Sequence, residues 1–359
     1  MFGTFRLALA LLVVVFHLSG RHLIGWYSVY AFYTLSGFLM TLVITKKYSL
    51  TPAGLADFAT NRFLRIYPPF LVMGACAVVM LQFPSLNQRA EALTKGDMGM
   101  PSGAMQWVEN IFIWGWRMRS AKLVPQAWTI FRELFFCVLI FFPFARYRWL
   151  TLGWLGAGVV YALSNVVRGV TLMEVYTTFQ NAAICYGAGC CLFHFQKPLR
   201  ALTQPRVPLL CLLALAPFSF EAIRPSLFAD NALLPLYLNT IFSSYLVLVL
   251  AGLRAAPRWT EWDRRLGNLS YPIYLCHYHV AVVVAAAFGW SGESSDALLW
   301  ASALPILAFA WLMNRYVEQT IGYGYDQRRQ LWSQRWPQVR PTGLSGALGT
   351  GQAVAPQGE

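Results

Sequence analysis

The hydrophobic pattern of the chain is a succession of long apolar runs separated by short polar segments. A helix that crosses a bilayer needs about 20 consecutive, mostly apolar residues. Runs of this kind predict about ten transmembrane helices, at residues 5–20, 26–45, 63–83, 127–145, 149–167, 173–195, 207–222, 233–253, 268–289 and 297–315. The sequence therefore predicts an all-α fold, namely a polytopic membrane helical bundle.

The longest polar stretch, residues 84–126, contains a segment from Trp107 to Trp116 that is too short to span a bilayer. We expect this segment to lie in the membrane interface or to re-enter the membrane. Its tryptophans suit either stacking on sugar rings or an interfacial aromatic belt. We expect residues 1–325 to form the membrane domain and residues 326–359 to form a basic, disordered cytoplasmic tail.

Composition supports a membrane location and argues against other classes of protein. Hydrophobic residues make up 57% of the chain and charged residues 12%, whereas soluble domains carry about 25% charged residues. The net charge of +13 does not indicate a nucleic-acid partner, because the basic residues fall in short clusters between apolar runs. Most of the 28 Lys and Arg residues lie on one side of the predicted membrane, which places both termini in the cytoplasm.

The seven cysteines all lie inside apolar runs, where they behave as small hydrophobic residues. No pair has the spacing of a zinc site with a nearby histidine. We therefore expect no metal site.

Ionisable residues inside a membrane span are costly, so each one is a candidate functional residue. The first predicted span contains Arg6 and His17, eleven residues apart. That spacing puts them on one helix face, about 16 Å apart along an axis that rises ~1.5 Å per residue. The Arg6 cation could hold the charged end of a long ligand. The His17 imidazole, further into the membrane, could act as a general base. A structural histidine bonded to a neighbouring helix is the alternative for His17.

Two further spans carry charged candidates. Arg62 and Arg65 share a helix face, and paired guanidinium groups suit phosphate binding, although arginines at a membrane border also serve as anchors. Arg132 and Glu133 are adjacent and point about 100° apart, so each needs a partner elsewhere. Glu133, near the outer half of its span, could meet His17.

Polar residues in the remaining spans have weaker indications. Ser36 and Gly37 suit close helix packing, or Ser36 faces the site as a possible nucleophile. His277 and His279 are expected to be buried and hydrogen-bonded. An ion pair with Arg315 accounts for Glu318.

With these residues identified, the chain resembles the acyltransferase-3 family of bacterial integral membrane acyltransferases. The resemblance rests on six segments that occur in order: Arg6 and His17 as Arg-x10-His, FYTLSGFLM at 32–40, NRFLRIYPPF at 61–70, AWTIFRELFF at 127–136, LGNLSYPIYLCH at 266–277 and VEQTI at 317–321. The chain departs from the family where Gly3 and Thr4 replace an Asp-Gly pair, where Thr129 replaces a serine and where Thr320 replaces a proline.

The resemblance implies an O-acyltransferase of the bacterial cytoplasmic (inner) membrane. It implies acyl-CoA as cytoplasmic co-substrate, with acetyl the commonest acyl group, and a glycan or lipid-linked saccharide as the extracytoplasmic acceptor. It implies no permanently bound cofactor. The site residues that follow are, as catalytic groups, His17 and Glu133; as ligands of the CoA phosphates, Arg6, Arg62 and Arg65; and as substrate contacts, Ser36, Trp128 and His277.

Three other functions remain open from the residues. A transporter or flippase of a glycan intermediate could use the same intramembrane polar residues, but it would often show internal repeats, and none is visible. A membrane glycosyltransferase would place an acidic pair in the first outer loop, whereas residues 19–25 hold no carboxylate. An intramembrane serine protease would require Ser36 as its nucleophile.

Overall fold

The computed structural model describes residues 1–20, 22–114, 121–199, 233–253 and 256–321. In these ranges the chain is helical, and an isolated bridge between Met98 and Lys122 is its one extended pairing. The helices are α1 (Phe2–Ser19), α2 (His22–Lys47), α3 (Pro52–Leu81), α4 (Pro84–Thr94), α5 (Ala104–Ile111), α6 (Ala127–Leu139), α7 (Arg148–Val167), α8 (Leu172–Tyr176), α9 (Phe179–Leu199), α10 (Leu233–Gly252), α11 (Pro257–Ala287) and α12 (Asp296–Met313). A π-helical turn extends α6 through Ile140–Phe144, and another extends α12 through Asn314–Glu318.

Eight helices in the described ranges are long and apolar enough to cross a membrane. The prediction of an all-α, multi-pass membrane bundle is therefore confirmed. The predicted span at 207–222 and the predicted tail at 326–359 lie outside the described residues. α9 is not among the eight, since Gln180, Asn181 and several glycines reduce its apolar character, yet it packs against α2 and α7 inside the bundle.

Several predicted helix boundaries are wrong. A helix whose first turns are polar begins before the apolar run from which it was predicted. α3 begins at Pro52, where the Thr51 side chain accepts a hydrogen bond from the Gly54 amide, an ordinary helix N-cap. α11 begins at Pro257, eleven residues before the prediction. The run predicted at 173–195 is divided between α8 and α9. The segment from Trp107 to Trp116 begins inside the short helix α5, which ends at Ile111, and its last two residues lie outside the described ranges.

The helices pack into two halves. One buried cluster joins α1, α3, α11 and α12, and the other joins α2, α6, α9 and α10. Two parallel pairs bring the backbones unusually close: Gly3 lies against Gly267 between α1 and α11, and Gly37 lies against Tyr186 between α2 and α9. Small residues permit such contacts between membrane helices.

The first turn of α1 is held by a carboxylate from α11. Asp263 accepts hydrogen bonds from the Gly3 amide at 2.9 Å and the Thr4 amide at 2.8 Å. The first amides of a helix lack internal partners and favour a negative charge. A carboxylate is thus present beside Gly3 although the family's Asp is absent there, and it sets the register of α1 against α11.

Candidate functional site

A cavity of about 190 Å³ lies between the two halves of the bundle. Its walls come from α1, α2, α3, α6, α9 and α11, and they are mostly apolar. The polar residues that line it are Arg6, Tyr33, Ser36, Arg62, Arg65, Thr129, Glu133, Tyr186, Ser270, Tyr271 and Tyr274. Ligand pockets usually measure roughly 300–1,000 Å³, so this cavity has room for a narrow arm of a ligand rather than for a whole large cofactor.

The structure brings Arg6, Arg62 and Arg65 together on the cavity wall, although they come from two different helices. Arg62 and Arg65 stand one turn apart on α3, as their spacing predicted. α3 continues through Pro68 and Pro69, which lack the amides that would bond to the preceding turn. The Tyr271 hydroxyl donates to the Ile66 carbonyl at 2.8 Å and ties this part of α3 to α11.

Glu133 also lines the cavity, where its carboxylate lies 3.9 Å from the Arg62 guanidinium. Glu133 does not meet His17, because the hydrogen-bond partner of His17 in the described part of the chain is His277. Glu318 also differs from expectation. Its carboxylate lies in the electrostatic field of Arg65 and Arg6, while Arg315 donates to Gln319 at 3.1 Å. Among the described residues that line the cavity, three carry a guanidinium group and one carries a carboxylate, an excess of positive charge.

His17 stands in the last turn of α1, and it is half-buried. Its Nδ1 lies 2.9 Å from Nε2 of His277 on α11. His277 is fully buried, and its Nδ1 lies 2.8 Å from the Tyr274 carbonyl oxygen. Both nitrogens of His277 are therefore occupied, so its position favours a structural or positioning role over direct substrate contact. His279 is also buried, and it bonds to the Leu123 carbonyl at 3.1 Å.

Tyr274 lies between the cavity and the histidine pair. Its ring lines the cavity, its carbonyl accepts from His277, and its hydroxyl bonds to Thr129 and to the Gln126 carbonyl. His17 itself does not line the cavity. Since His277 follows Tyr274 by three residues on α11, the histidine pair stands about one helical turn beyond the end of the cavity.

The other two predicted substrate contacts have different surroundings. Ser36 lines the cavity, whereas its neighbour Gly37 packs on α9. Of the two expected roles, facing the site therefore falls to Ser36 and close helix packing to Gly37. Ser36 and His17 form no nucleophile–base pair in the described part of the chain, because no hydrogen bond joins them and His17 does not line the cavity. Trp128 does not line the cavity: its indole lies 4.3 Å from the Arg132 guanidinium and 5.5 Å from the ring of Tyr176.

Sequence reasoning did not assign roles to the four tyrosines that line the cavity in the described part of the chain, namely Tyr33, Tyr186, Tyr271 and Tyr274. Tyr271 and Tyr274 lie inside the segment SYPIYLCH, on which the family resemblance partly rests. This segment has a polar residue at each helical turn of an otherwise apolar span, and that pattern could have indicated that they face a site. Tyr186 stands alone on α9, and only the packing of α9 against α2 brings it to the cavity.

The fold and the site together define a polytopic membrane protein with a cation-lined cavity and a histidine pair one helical turn beyond it. A family model described as an acyltransferase domain, Acyl_transf_3, matches residues 4–315. The match covers most of the 359 residues, and the chain therefore belongs to this family and is a membrane acyltransferase. No curated protein and no solved structure matches the chain.

Proposed function

We propose that this acyltransferase moves an acyl group, in the simplest case acetyl, from cytoplasmic acyl-CoA to a hydroxyl of an extracytoplasmic or cell-surface glycan. The membrane would be the bacterial cytoplasmic membrane, with both termini in the cytoplasm. The observation that carries the proposal is the placement of Arg6, Arg62 and Arg65 on one cavity wall, in line with a half-buried histidine at the far end of α1.

The cavity suits the donor because its charge and size match different parts of acyl-CoA. Guanidinium groups bind phosphate oxygens through charge-assisted hydrogen bonds, and Arg6 and Arg65 form no ion pair or hydrogen bond with other side chains in the described ranges. The narrow apolar part of the cavity suits a pantetheine arm. The nucleotide would stay at the arginine end, and the thioester would point towards Tyr274.

The transfer itself would take place at His17. As general base, His17 removes the proton of the acceptor hydroxyl while the oxygen attacks the thioester carbonyl carbon. The carbon–sulfur bond breaks, and the CoA thiolate takes the proton back from the imidazolium, so that the products are an ester and the CoA thiol. The alternative route, in which the acyl group passes through a His17 nitrogen, uses the same atoms. In either route the thioester would have to pass Tyr274, which lines the cavity and contacts His277, to reach His17.

The donor site is tested by comparing acyl-CoA with acyl-pantetheine, which carries the same thioester without phosphates. We expect Arg62→Gln and Arg65→Gln to raise the KM for acyl-CoA roughly tenfold or more, since a hydrogen bond to a charged group contributes about 1.5–3 kcal/mol. The KM for acyl-pantetheine should not change. Arg168→Gln is the control, because Arg168 is exposed and bonds within α7 and its C-terminal turn. An equal loss with both donors would contradict a phosphate site here.

A further inference from the structure

The hydrogen bond between His17 and His277 lies in the plane of both rings. The ring planes are within 3° of parallel, with centroids 5.0 Å apart. Two parallel rings stacked face to face would keep their atoms about 3.5 Å or more apart. Because the nitrogens are only 2.9 Å apart, the rings lie edge to edge in nearly one plane, which is the favourable geometry for N–H···N hydrogen bonding.

The order of donors along this chain of hydrogen bonds follows from the Tyr274 carbonyl. A carbonyl oxygen only accepts, so Nδ1 of His277 carries the proton at this contact. A neutral imidazole has one N–H, and Nε2 of His277 is then an acceptor. His17 must therefore donate from Nδ1, which leaves its Nε2 with a free lone pair.

Two observations support a neutral His277. Its side chain is fully buried, and no carboxylate contacts it in the described part of the chain. A buried imidazolium without a partner is costly. The neighbouring Tyr278 also holds both rings in place, with its centroid 4.7 Å from that of His17 and 4.6 Å from that of His277.

We propose that His277 is a positioning residue that fixes the tautomer and the orientation of His17, so that His17 Nε2 is the nitrogen that acts on the substrate. This inference rests on the proposed function of His17. No group in the described ranges hydrogen-bonds to that nitrogen. His277 does not touch the substrate and acts through His17, as outer partners of catalytic histidines do elsewhere.

The first test measures the tautomer directly, in the unaltered protein. With five histidines in the chain, the ¹⁵N spectrum of histidine-labelled protein in nanodiscs can be assigned by comparison with His17→Ala. We expect neutral His17 to carry its proton on Nδ1. A proton on Nε2 of His17 would overturn the proposal, whatever the activity of the His277 variants described next.

The second test uses paired substitutions at the positioning residue. His277→Gln keeps an acceptor for His17 Nδ1, whereas His277→Phe keeps the ring shape and removes the acceptor. We expect His277→Phe to lower kcat by roughly 10–100-fold, the usual loss when the hydrogen-bond partner that orients a functional histidine is removed. The KM for acyl-CoA should not change, because the residues that line the cavity are untouched. His277→Gln should recover most of kcat and retain the wild-type His17 tautomer.

The two proposals fail in different ways. If His17→Ala transfers acyl groups at the wild-type rate, the proposed function fails. If His17→Ala is inactive but His277→Phe keeps the wild-type kcat, only the positioning role of His277 fails.

Discussion

The carboxylate of Glu133 moderates the charge of the cavity. Among the described residues that line the cavity it is the one acidic side chain beside three arginines, and it lies 3.9 Å from Arg62. A cation left without its partner in a partly buried site destabilises the fold. Glu133 therefore belongs with the arginines of the cavity, which we propose as the donor site, rather than with His17. Its removal should affect both stability and donor binding.

We expect Glu133→Gln to lower the free energy of unfolding by about 1–2 kcal/mol, less than for a fully buried pair because the carboxylate is 33% exposed. The variant should also gain more thermal stability from added CoA than the wild type does, since the phosphates would meet an uncompensated Arg62. Thermal unfolding in detergent with and without CoA measures both effects. The exposed Glu293→Gln is the control, and an identical CoA response in the wild type and Glu133→Gln would count against this role.

The sequence predicts which residues line the cavity better than it predicts their hydrogen-bond and ion-pair partners. Arg6, Arg62, Arg65, Glu133 and Ser36 were singled out because polar groups are rare inside membrane spans, and all five line the cavity. The partner of each depends on helix rotation and tertiary packing. For that reason the contact of Glu133 with Arg62, and that of His17 with His277, could not be read from spacing along single helices.

Glycine sets the distance between α2 and α9. A Cβ on Gly37 would clash with the backbone carbonyl of Tyr186, and a Cβ on Gly189 would clash with that of Thr34. Since backbone atoms cannot move aside as a side chain can, any substitution at Gly37 must push the helices apart. Tyr186 and Ser36 would then shift at the cavity wall.

We expect Gly37→Ala to destabilise the protein by about 1–3 kcal/mol, the usual cost of overpacking. Gly156→Ala on α7 is the matched control, because its Cβ would meet open space and alanine is the better helix former by about 1 kcal/mol. Thermal unfolding of both variants in detergent provides the comparison. If Gly37→Ala were as stable as Gly156→Ala, the close approach of α2 and α9 would be contradicted.

Helix boundaries are predictable from the sequence where the whole helix is an apolar run. They are less predictable where polar turns extend a helix beyond that run. The first turns of α3 and α11 escaped the apolar pattern, as did α4 in the polar stretch. The break between α8 and α9 is not predicted, because the two residues between them, Thr177 and Thr178, are not polar enough to divide the apolar run.

For the molecule as a whole, α1 and α11 run parallel and connect the arginine end of the cavity to the histidine pair. Their register is set at one end by Asp263 with Gly3 and at the other by His277 with His17. We therefore predict a path for the acyl group along these two helices, with phosphates held at the arginine end and the acceptor approaching from the His17 end. A transporter would need no such reactive nitrogen at the end of the path.

The most direct test of this account is transfer of a labelled acyl group from acyl-CoA to glycan in membranes that contain His17→Ala, with release of the CoA thiol measured in parallel. We expect His17→Ala to lose at least roughly 100-fold in transfer, the lower end of what a general base contributes. The control His194→Ala should keep wild-type transfer, since His194 bonds to the Phe144 carbonyl away from the cavity. Transfer by His17→Ala at the wild-type rate would contradict the account.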